Sequence, residues 1–314
     1  MSMSTPRRKG AAFAAAAAVV LASACSGGAT PATAGSEQVK VVAAFYPLQY
    51  VSQQVGGDAV SVANLAPPGA EPHDLELTPA QVAHIAEADL VVYLKGFQPS
   101  VDESVKQNAA GKAFDVATVE PLHDAVETDE HDQAGHEQEM GGKDPHVWLD
   151  PVRLAAISDR LAERLASLDS GHAPQYIARA ADLHGRLLAL DRQYRDRLAT
   201  CQRREIVVSH AAFGYLAERY RLKQVAITGL SPEDEPGPRK LAEVTAQAQQ
   251  LGATTVFFET LVSPKLAQTI AQEVGAKAEV LDPIEGLQVG SPDDYLSVMR
   301  ANLTRLVTAL GCTG

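Results

Sequence analysis

The feature that most constrains the fold is a helical pattern near the middle of the chain that is too long for an ordinary small domain. From Pro174 to Thr200, apolar residues recur at a spacing close to the helical period. A helix over this span is about 40 Å long at 1.5 Å per residue. A helix that joins and braces two lobes needs such a length, so the pattern predicts a bridging helix within 171–202. The 314 residues, of which 46% are apolar, can supply two cores of ordinary size.

The segments on either side of this helix predict the same class of structure. Short β-branched apolar runs alternate with helical patterns, beginning at Val39–Phe45 in the first half and at Glu205–Ser209 in the second. Such alternation is typical of parallel sheets covered by helices. We therefore predict an α/β fold with two βα lobes, 39–170 and 203–314, each built on a parallel sheet and joined by the one long rigid helix.

The N-terminus predicts export. A basic cluster at Arg7–Lys9 precedes a short apolar run, Gly10–Ala24, which is too short and too rich in alanine to span a membrane. The run ends in small residues before Cys25 and resembles a bacterial lipobox, so we predict that 1–25 is a signal peptide with a lipidated Cys25 and that 26–38 is a flexible tether. The alternatives are an ordinary cleaved signal with a bystander cysteine and a twin-arginine signal. Each of them places the folded part outside the cytoplasm, either at the outer face of the cell membrane or in the periplasm.

Export also bears on the two remaining cysteines, Cys201 and Cys312. An oxidising compartment permits a disulfide between them, which would tie the end of the chain to its middle. The alternative is two unpaired buried thiols. Neither cysteine has a neighbouring CxxC partner, so a zinc–thiolate site is not favoured.

The charge of the chain excludes one class of partner. The formal net charge is −12, which argues against nucleic acid and favours a surface that tolerates cations. Part of this charge lies in the polar segment 123–142, which lacks a hydrophobic period and is predicted to be a loop. It holds His123, His131 and His136 among carboxylates, and these are candidate accessory metal ligands. A solvated acidic loop with incidental histidines is the equally favoured alternative.

Four residues far apart in the chain are candidates for one metal site. His210 and Asp282 directly follow strand patterns, and His73 and His146 lie in proline-bounded loops of the first half. Because ligands of open α/β sheets bind beyond the carboxyl ends of the strands, these side chains can converge between the lobes. No local metal-binding motif is present, so only the tertiary fold could assemble the site. Glu71 could add an oxygen ligand or accept from an imidazole N–H, although plain surface charge is the interpretation we favour for it.

Five stretches resemble the solute-binding proteins of the zinc and manganese ABC transporters, and they occur in the order of that family. The resemblance implies two lobes braced by a long helix, with two metal ligands from each lobe. It assigns His73 and His146 to the first lobe, and His210 and Asp282 to the second. The matching stretches are Ala66–Pro79, Lys143–Pro151, Val207–Leu216, Gly229–Pro238 and Val280–Leu287.

The third ligand position indicates which metal is carried. Zinc members of the family tend to have histidine there and manganese members a carboxylate, and this chain has His210. Three imidazoles and one carboxylate suit tetrahedral Zn²⁺. The resemblance therefore implies a monomeric lipoprotein, not an enzyme, that binds Zn²⁺ as cargo and delivers it to a membrane permease with its cytoplasmic ATPase. The alternatives are a manganese or iron carrier, a metal-dependent adhesin, and an exported zinc enzyme, for which Glu71 is the only candidate general base.

Overall fold

The computed structural model of the chain describes residues 38–125 and 142–313. The predicted signal peptide with Cys25, nearly all of the tether, and the part of the acidic segment that holds His131 and His136 lie outside the described residues. Within the described ranges, no helix combines the length and apolar character needed to cross a membrane.

The first half contains a parallel four-stranded sheet in the order β2-β1-β3-β4. Its two central strands are buried along most of their length, as expected for a parallel sheet with helices on both faces. The strands are β1 Val39–Ala43, β2 Val60–Asn64, β3 Leu90–Tyr93 and β4 Ala113–Asp115. The helices are α1 Tyr46–Gly56, α2 Pro79–Glu87 and α3 Pro99–Asn108.

The second half repeats this arrangement with the order β6-β5-β7-β8, again with every neighbouring pair parallel. The predicted α/β class with two parallel sheets is therefore confirmed. The strands are β5 Glu205–Val208, β6 Lys223–Ala226, β7 Thr255–Phe258 and β8 Lys277–Val280. The helices are α6 Gly214–Tyr220, α7 Pro238–Gln250, α8 Lys265–Val274 and α9 Tyr295–Leu310.

Two long helices lie between the sheets in the sequence: α4, Pro151–Leu168, and α5, Ala173–Arg197. With 25 residues, α5 is about 37 Å long. Its side chains contact both halves: Arg186 donates to the Gln54 side chain of α1 at 2.6 Å, and the Tyr194 hydroxyl donates to the Met299 carbonyl of α9, also at 2.6 Å. These contacts fit a bracing helix, while the lobe boundaries near it remain predictions.

The only tryptophan of the chain joins the two halves in the core. Trp148 is buried and packs edge-on against Phe45, with 4.9 Å between the ring centroids. Its indole N–H donates to the Pro283 carbonyl at 2.8 Å, and its own carbonyl accepts from the Tyr295 hydroxyl at 2.6 Å. The segment that contains Trp148 is thereby fixed against the last part of the chain.

A disulfide links Cys201 to Cys312, which confirms the predicted bond. The two residues also form an isolated antiparallel bridge. Because Cys201 precedes β5 and His210 follows it, the disulfide lies near the beginning of that strand and the candidate ligand at its end.

Candidate metal site

Three imidazole side chains and one carboxylate form a single cluster. His73, His146, His210 and Glu285 each offer one ligand atom, and these atoms all lie within 4.8 Å of one another. All four residues are buried. Two of them come from the first half of the chain and two from the second, so the folding of both sheets is needed to assemble the cluster.

His210 is positioned by the end of a central strand. It lies two residues beyond β5, immediately before a short 3-10 turn, Ala211–Phe213. Its Nδ1 is 2.8 Å from Oε1 of Glu259, which directly follows the neighbouring strand β7. The Ser209 hydroxyl donates to the same carboxylate oxygen at 2.7 Å. The parallel pairing of β5 and β7 thus brings the imidazole and its carboxylate partner to one edge of the sheet.

His146 lies in a tight turn that its own neighbours build. Oδ1 of Asp144 accepts from the His146 backbone N–H at 2.9 Å and lies 2.8 Å from Nδ1 of its ring. The turn continues through a 3-10 segment, Val147–Leu149, to Asp150, which caps α4 by accepting from the Val152 N–H at 2.9 Å. Aspartate and proline here have the roles expected at a helix start, and they fix the chain on the far side of the ligand.

His73 lies in the loop between β2 and α2. Both carboxylate oxygens of Glu71 are 3.0 Å from the His73 backbone nitrogen and accept from it, and the His73 ring packs edge-on against Phe97 at 4.6 Å. The loop ends in a capping box, in which Thr78 and Gln81 bond each other's backbone N–H groups at the start of α2. Proline at the first helical position completes this helix start.

Glu285 faces all three imidazoles with one oxygen. Its Oε1 is 3.4 Å from Nε2 of His73, 3.1 Å from Nε2 of His146 and 3.2 Å from Nε2 of His210. Its Oε2 is buried without a hydrogen-bond partner in the described part of the chain. A buried carboxylate oxygen without a partner is unfavourable, and a cation beside it would remove that cost. Three imidazole nitrogens with one carboxylate form a donor set that suits zinc.

The predicted fourth ligand, Asp282, does not belong to the cluster, in which the structure brings Glu285 together with the three imidazoles. One oxygen of Asp282 accepts from the Ile284 N–H at 2.7 Å, and the other accepts from the Thr260 hydroxyl at 2.8 Å. Ile284 has a left-handed φ of 60°, and this turn directs the next residue, Glu285, into the cluster. The sequence contained a signal for this outcome, since aspartate before proline commonly bonds the backbone of its own turn.

The charges around the imidazoles separate them into two kinds. Burial lowers the pKa of His73, and the attraction of Glu285 does not reverse this effect. Burial also lowers the pKa of His146 and His210, but their interactions with neighbouring carboxylates outweigh this effect. Hydrogen bonds to Asp144 and Glu285 raise the pKa of His146, and the carboxylates Glu259 and Glu285 raise the pKa of His210 well above its usual range.

Glu285 itself is held in its ionised form. Burial alone would raise its pKa, but the electrostatic attraction of the His73 and His210 imidazoles and the hydrogen bonds from His146 and His210 hold that pKa well below its usual range. The site therefore keeps an anionic ligand ready for a cation.

Comparison with known proteins identifies the family. The family described as zinc-uptake complex component A, periplasmic (ZnuA), matches residues 41–309. The chain belongs to this family. The high-affinity zinc uptake system protein ZnuA of Bacillus subtilis is 34% identical over 297 residues, which cover 92% of this chain and 93% of the relative. The zinc-binding lipoprotein AdcA of Streptococcus pneumoniae serotype 4 is 35% identical over 279 residues, covering 86% of this chain but only 55% of AdcA.

A solved structure agrees with the family assignment. The laminin-binding protein Lmb of Streptococcus agalactiae, described as bifunctional with adhesin and metal transporting activity, superposes with a TM-score of 0.74 at 31% identity. The match covers 87% of this chain and 99% of Lmb.

Two further candidates lie around the site of this ZnuA-family member. Glu71 is close to the cluster, with its Oε1 4.0 Å from Nε2 of His73, and it is mostly buried rather than a surface charge. Burial and the charge of Glu285 raise the pKa of Glu71 to about 8. Its carboxylate holds the His73 backbone, and it is not one of the four clustered residues.

His123, at the base of the acidic segment, has different surroundings. Its Nδ1 is 2.9 Å from Oε2 of Glu218, its Nε2 is 2.6 Å from Nη2 of Arg153, and its ring stacks on Tyr215 at 4.5 Å. A metal ion at Nε2 would have to displace the guanidinium group. An accessory role for His123 therefore remains a prediction that its surroundings do not favour.

Proposed function

We propose that this protein binds one Zn²⁺ ion through His73, His146, His210 and Glu285 and carries it to an ABC permease. The observation that carries the proposal is the convergence of four buried ligand atoms, drawn from both halves of the chain, within 4.8 Å. The similarity to proteins named for zinc uptake and zinc binding supports it.

The donor set supports zinc over manganese. Imidazole nitrogens are ligands for zinc, whereas manganese favours sites rich in carboxylate and water oxygen. The cluster offers three imidazole nitrogens and one carboxylate. A manganese or iron carrier on the same fold would be expected to place a second carboxylate at one of these positions.

The same donor set supports a zinc-transport protein over a zinc enzyme. Catalytic zinc sites keep a coordination position open for water or substrate, whereas closed sites use four protein ligands. Here four protein side chains surround one point, and all of them are buried. The protein would therefore act as a carrier and not as a zinc enzyme, in agreement with the transport component for which its family is named.

Delivery requires the protein to stay near the membrane. We place it outside the cytoplasm as a monomer, tethered by lipid on Cys25, from where it would pass zinc to a permease with its cytoplasmic ATPase. The lipobox-like sequence before Cys25 and the similarity to a protein named as a zinc-binding lipoprotein support this location.

The test is metal content and competitive titration of the protein without residues 1–38. We expect one zinc ion per chain and retention of zinc against an equal concentration of manganese. Asp102→Asn is a control in a carboxylate that accepts from the Gly96 N–H and lies outside the cluster. Displacement of zinc by equimolar manganese would refute the metal assignment. Delivery is tested by growth of a deletion strain under zinc chelation, which wild-type protein should restore and His210→Ala should not.

An adhesin is the second candidate, favoured by the likeness to Lmb. The two functions are compatible, because adhesion would use the outer surface and not the buried cluster. Binding to immobilised laminin, measured with zinc-loaded and chelator-treated protein, would separate them. Zinc binding without laminin binding would leave only the carrier function.

A further inference from the structure

We infer that Asp144 and Glu259 are positioning residues that hold His146 and His210 with Nδ1 protonated and Nε2 directed at the metal. This inference rests on the proposed zinc function and concerns how the ligands are presented. Neither carboxylate belongs to the cluster of four.

The first step is geometric. Nδ1 of His210 is 2.8 Å from Glu259, and Nδ1 of His146 is 2.8 Å from Asp144. In both rings the opposite nitrogen, Nε2, faces Oε1 of Glu285, and the two Nε2 atoms are 3.4 Å apart. Each imidazole therefore lies between a carboxylate on one side and the cluster on the other.

The two carboxylates are themselves held in place. Glu259 is 3% exposed and accepts from the Ser209 hydroxyl at 2.7 Å as well as from the imidazole. Asp144 is 6% exposed and accepts from the backbone N–H of His146. Its other oxygen lies so close to Gly214 that a Cβ atom there would come within 2.4 Å of it. A residue with a side chain at 214 would displace this carboxylate, which explains the glycine.

His73 provides an internal contrast. Among the described residues, the carboxylates nearest its ring face Nε2: Glu285 at 3.4 Å and Glu71 at 4.0 Å. Glu71 accepts from the His73 backbone N–H instead of from the ring. The described structure thus orients two of the three imidazoles through a carboxylate on Nδ1 and the third through its loop.

The chemistry follows from the two distinct ring nitrogens. The hydrogen bond at one nitrogen decides which nitrogen is free to bind metal, and a carboxylate acceptor raises the basicity of the ligand. Hydrogen bonds to ionised acceptors are also shorter and stronger than neutral ones. Glu259 and Asp144 would therefore increase zinc affinity without touching the ion.

The test compares wild-type protein with Glu259→Gln and Asp144→Asn, which keep the size of each side chain and remove its charge. We expect zinc affinity to fall roughly 10- to 100-fold in each variant. Proton NMR of the zinc-loaded protein should show the Nδ1–H resonances of His210 and His146 far downfield. The resonance of His210 should move upfield in Glu259→Gln, and that of His146 in Asp144→Asn, while the His73 resonance stays in place.

Asp191→Asn is the matched control, because Asp191 is a buried carboxylate that accepts from Arg219 at 2.6 Å and has no contact with the imidazoles. It should change neither the zinc affinity nor these resonances. Ser209→Ala is a milder variant that removes one hydrogen bond from Glu259, and it should produce a smaller shift of the His210 resonance alone.

The outcomes are separable. Wild-type affinity in both charge-removing variants would overturn the inference, and so would lowered affinity with unmoved resonances, which would indicate only a structural role. If the wild-type protein bound no zinc, the proposed function would fail first. If Glu259→Gln did not fold, the shift of the His210 resonance in Ser209→Ala would test the role of Glu259 instead.

Discussion

The two sheets have the same strand order and direction, yet only one of the two candidate ligands in each half follows a corresponding strand: His146 and Glu285 follow the edge strands β4 and β8, whereas His73 and His210 follow strands in different positions. In the first half, the ligands follow the two edge strands: His73 comes well after β2, which ends at Asn64, and His146 comes long after β4, which ends at Asp115. In the second half, His210 lies close behind the central strand β5 and Glu285 close behind β8. One half thus uses loops, and the other uses strand ends.

A pair of corresponding positions sharpens this comparison. Phe45 lies two residues beyond β1 and His210 two residues beyond β5, and each directly precedes helical structure. Phe45 packs against the aromatic rings of Phe97 and Trp148, whereas His210 joins the metal cluster. The same place in the fold therefore holds a core residue in one half and a ligand in the other, so the fold alone does not determine the site.

The largest expected effect comes from removing one ligand from each half. His210→Ala and His73→Ala should each lower zinc affinity by more than about 100-fold, because even supporting partners of metal ligands account for 10- to 100-fold. The loss should be greater for His210→Ala, which also leaves the buried Glu259 without its imidazole partner. Isothermal titration with zinc measures both. Equal losses of zinc affinity in the two variants would show that His210, at a strand end, is no more firmly held than His73, in a loop.

The next effect distinguishes the two carboxylates after β8. Glu285→Gln should weaken zinc binding by roughly 100-fold or more, since it removes the anionic ligand, whereas Asp282→Asn should cost about 10-fold or less. An asparagine at 282 keeps an oxygen that can accept from the Ile284 N–H. Competition with a fluorescent zinc chelator gives both constants. The reverse order of effects would restore Asp282 as the fourth ligand.

Proton release gives a smaller and pH-dependent contrast between the loop and strand-end imidazoles. Carboxylates raise the pKa of His146 and raise that of His210 well above its usual range, whereas burial lowers the pKa of His73. Zinc binds only neutral imidazole, so zinc binding should release protons from the rings whose pKa is raised. Affinity should rise with pH until the raised pKa values are passed.

Calorimetry in two buffers of different ionisation enthalpy measures that proton count. His73→Gln should release as many protons as the wild-type protein at neutral pH, because the lowered pKa of His73 leaves its ring without a proton to lose there. A count near zero for the wild-type protein would contradict the raised pKa of the two buried imidazoles.

The disulfide should have the smallest effect on the site. The bond closes a loop with a sequence separation of 111, so replacing both Cys201 and Cys312 by serine should lower the free energy of unfolding by about 2–5 kcal/mol. Zinc affinity should not change, because the bond lies near the beginning of β5 and His210 beyond its end. Urea unfolding and zinc titration of the double variant check the two statements, and a large loss of affinity would show that the two ends of the strand are coupled.

The sequence predicted the elements well where periodicity and caps agreed. In α4, Pro151–Leu168, a proline at the first helical position follows the capping residue Asp150, and both are helix-start signals that can be read from the sequence. Three of the four clustered residues were also predicted, since His210 follows a strand directly and the other two imidazoles lie in proline-bounded loops.

The remaining features depend on tertiary contacts that no local pattern contains. Asp282 and Glu285 are both carboxylates after the same strand, and only the turn at Ile284 decides which one faces the imidazoles. The partners of the imidazole Nδ1 atoms were also missed. Glu259 follows a different strand from His210, and their contact exists only because β5 and β7 are neighbours.

The left-handed turn at Ile284 also affects how readily the site can accept an ion. A β-branched residue with φ of 60° is rare, and such a conformation costs on the order of 1–3 kcal/mol. The Ile284 side chain is fully buried, and Asp282 bonds its backbone N–H, so the surrounding fold bears this cost when the chain folds. Glu285 then has little conformational freedom left to lose. We therefore expect the binding-competent arrangement to be formed before an ion arrives, so that little affinity is lost to reorganisation.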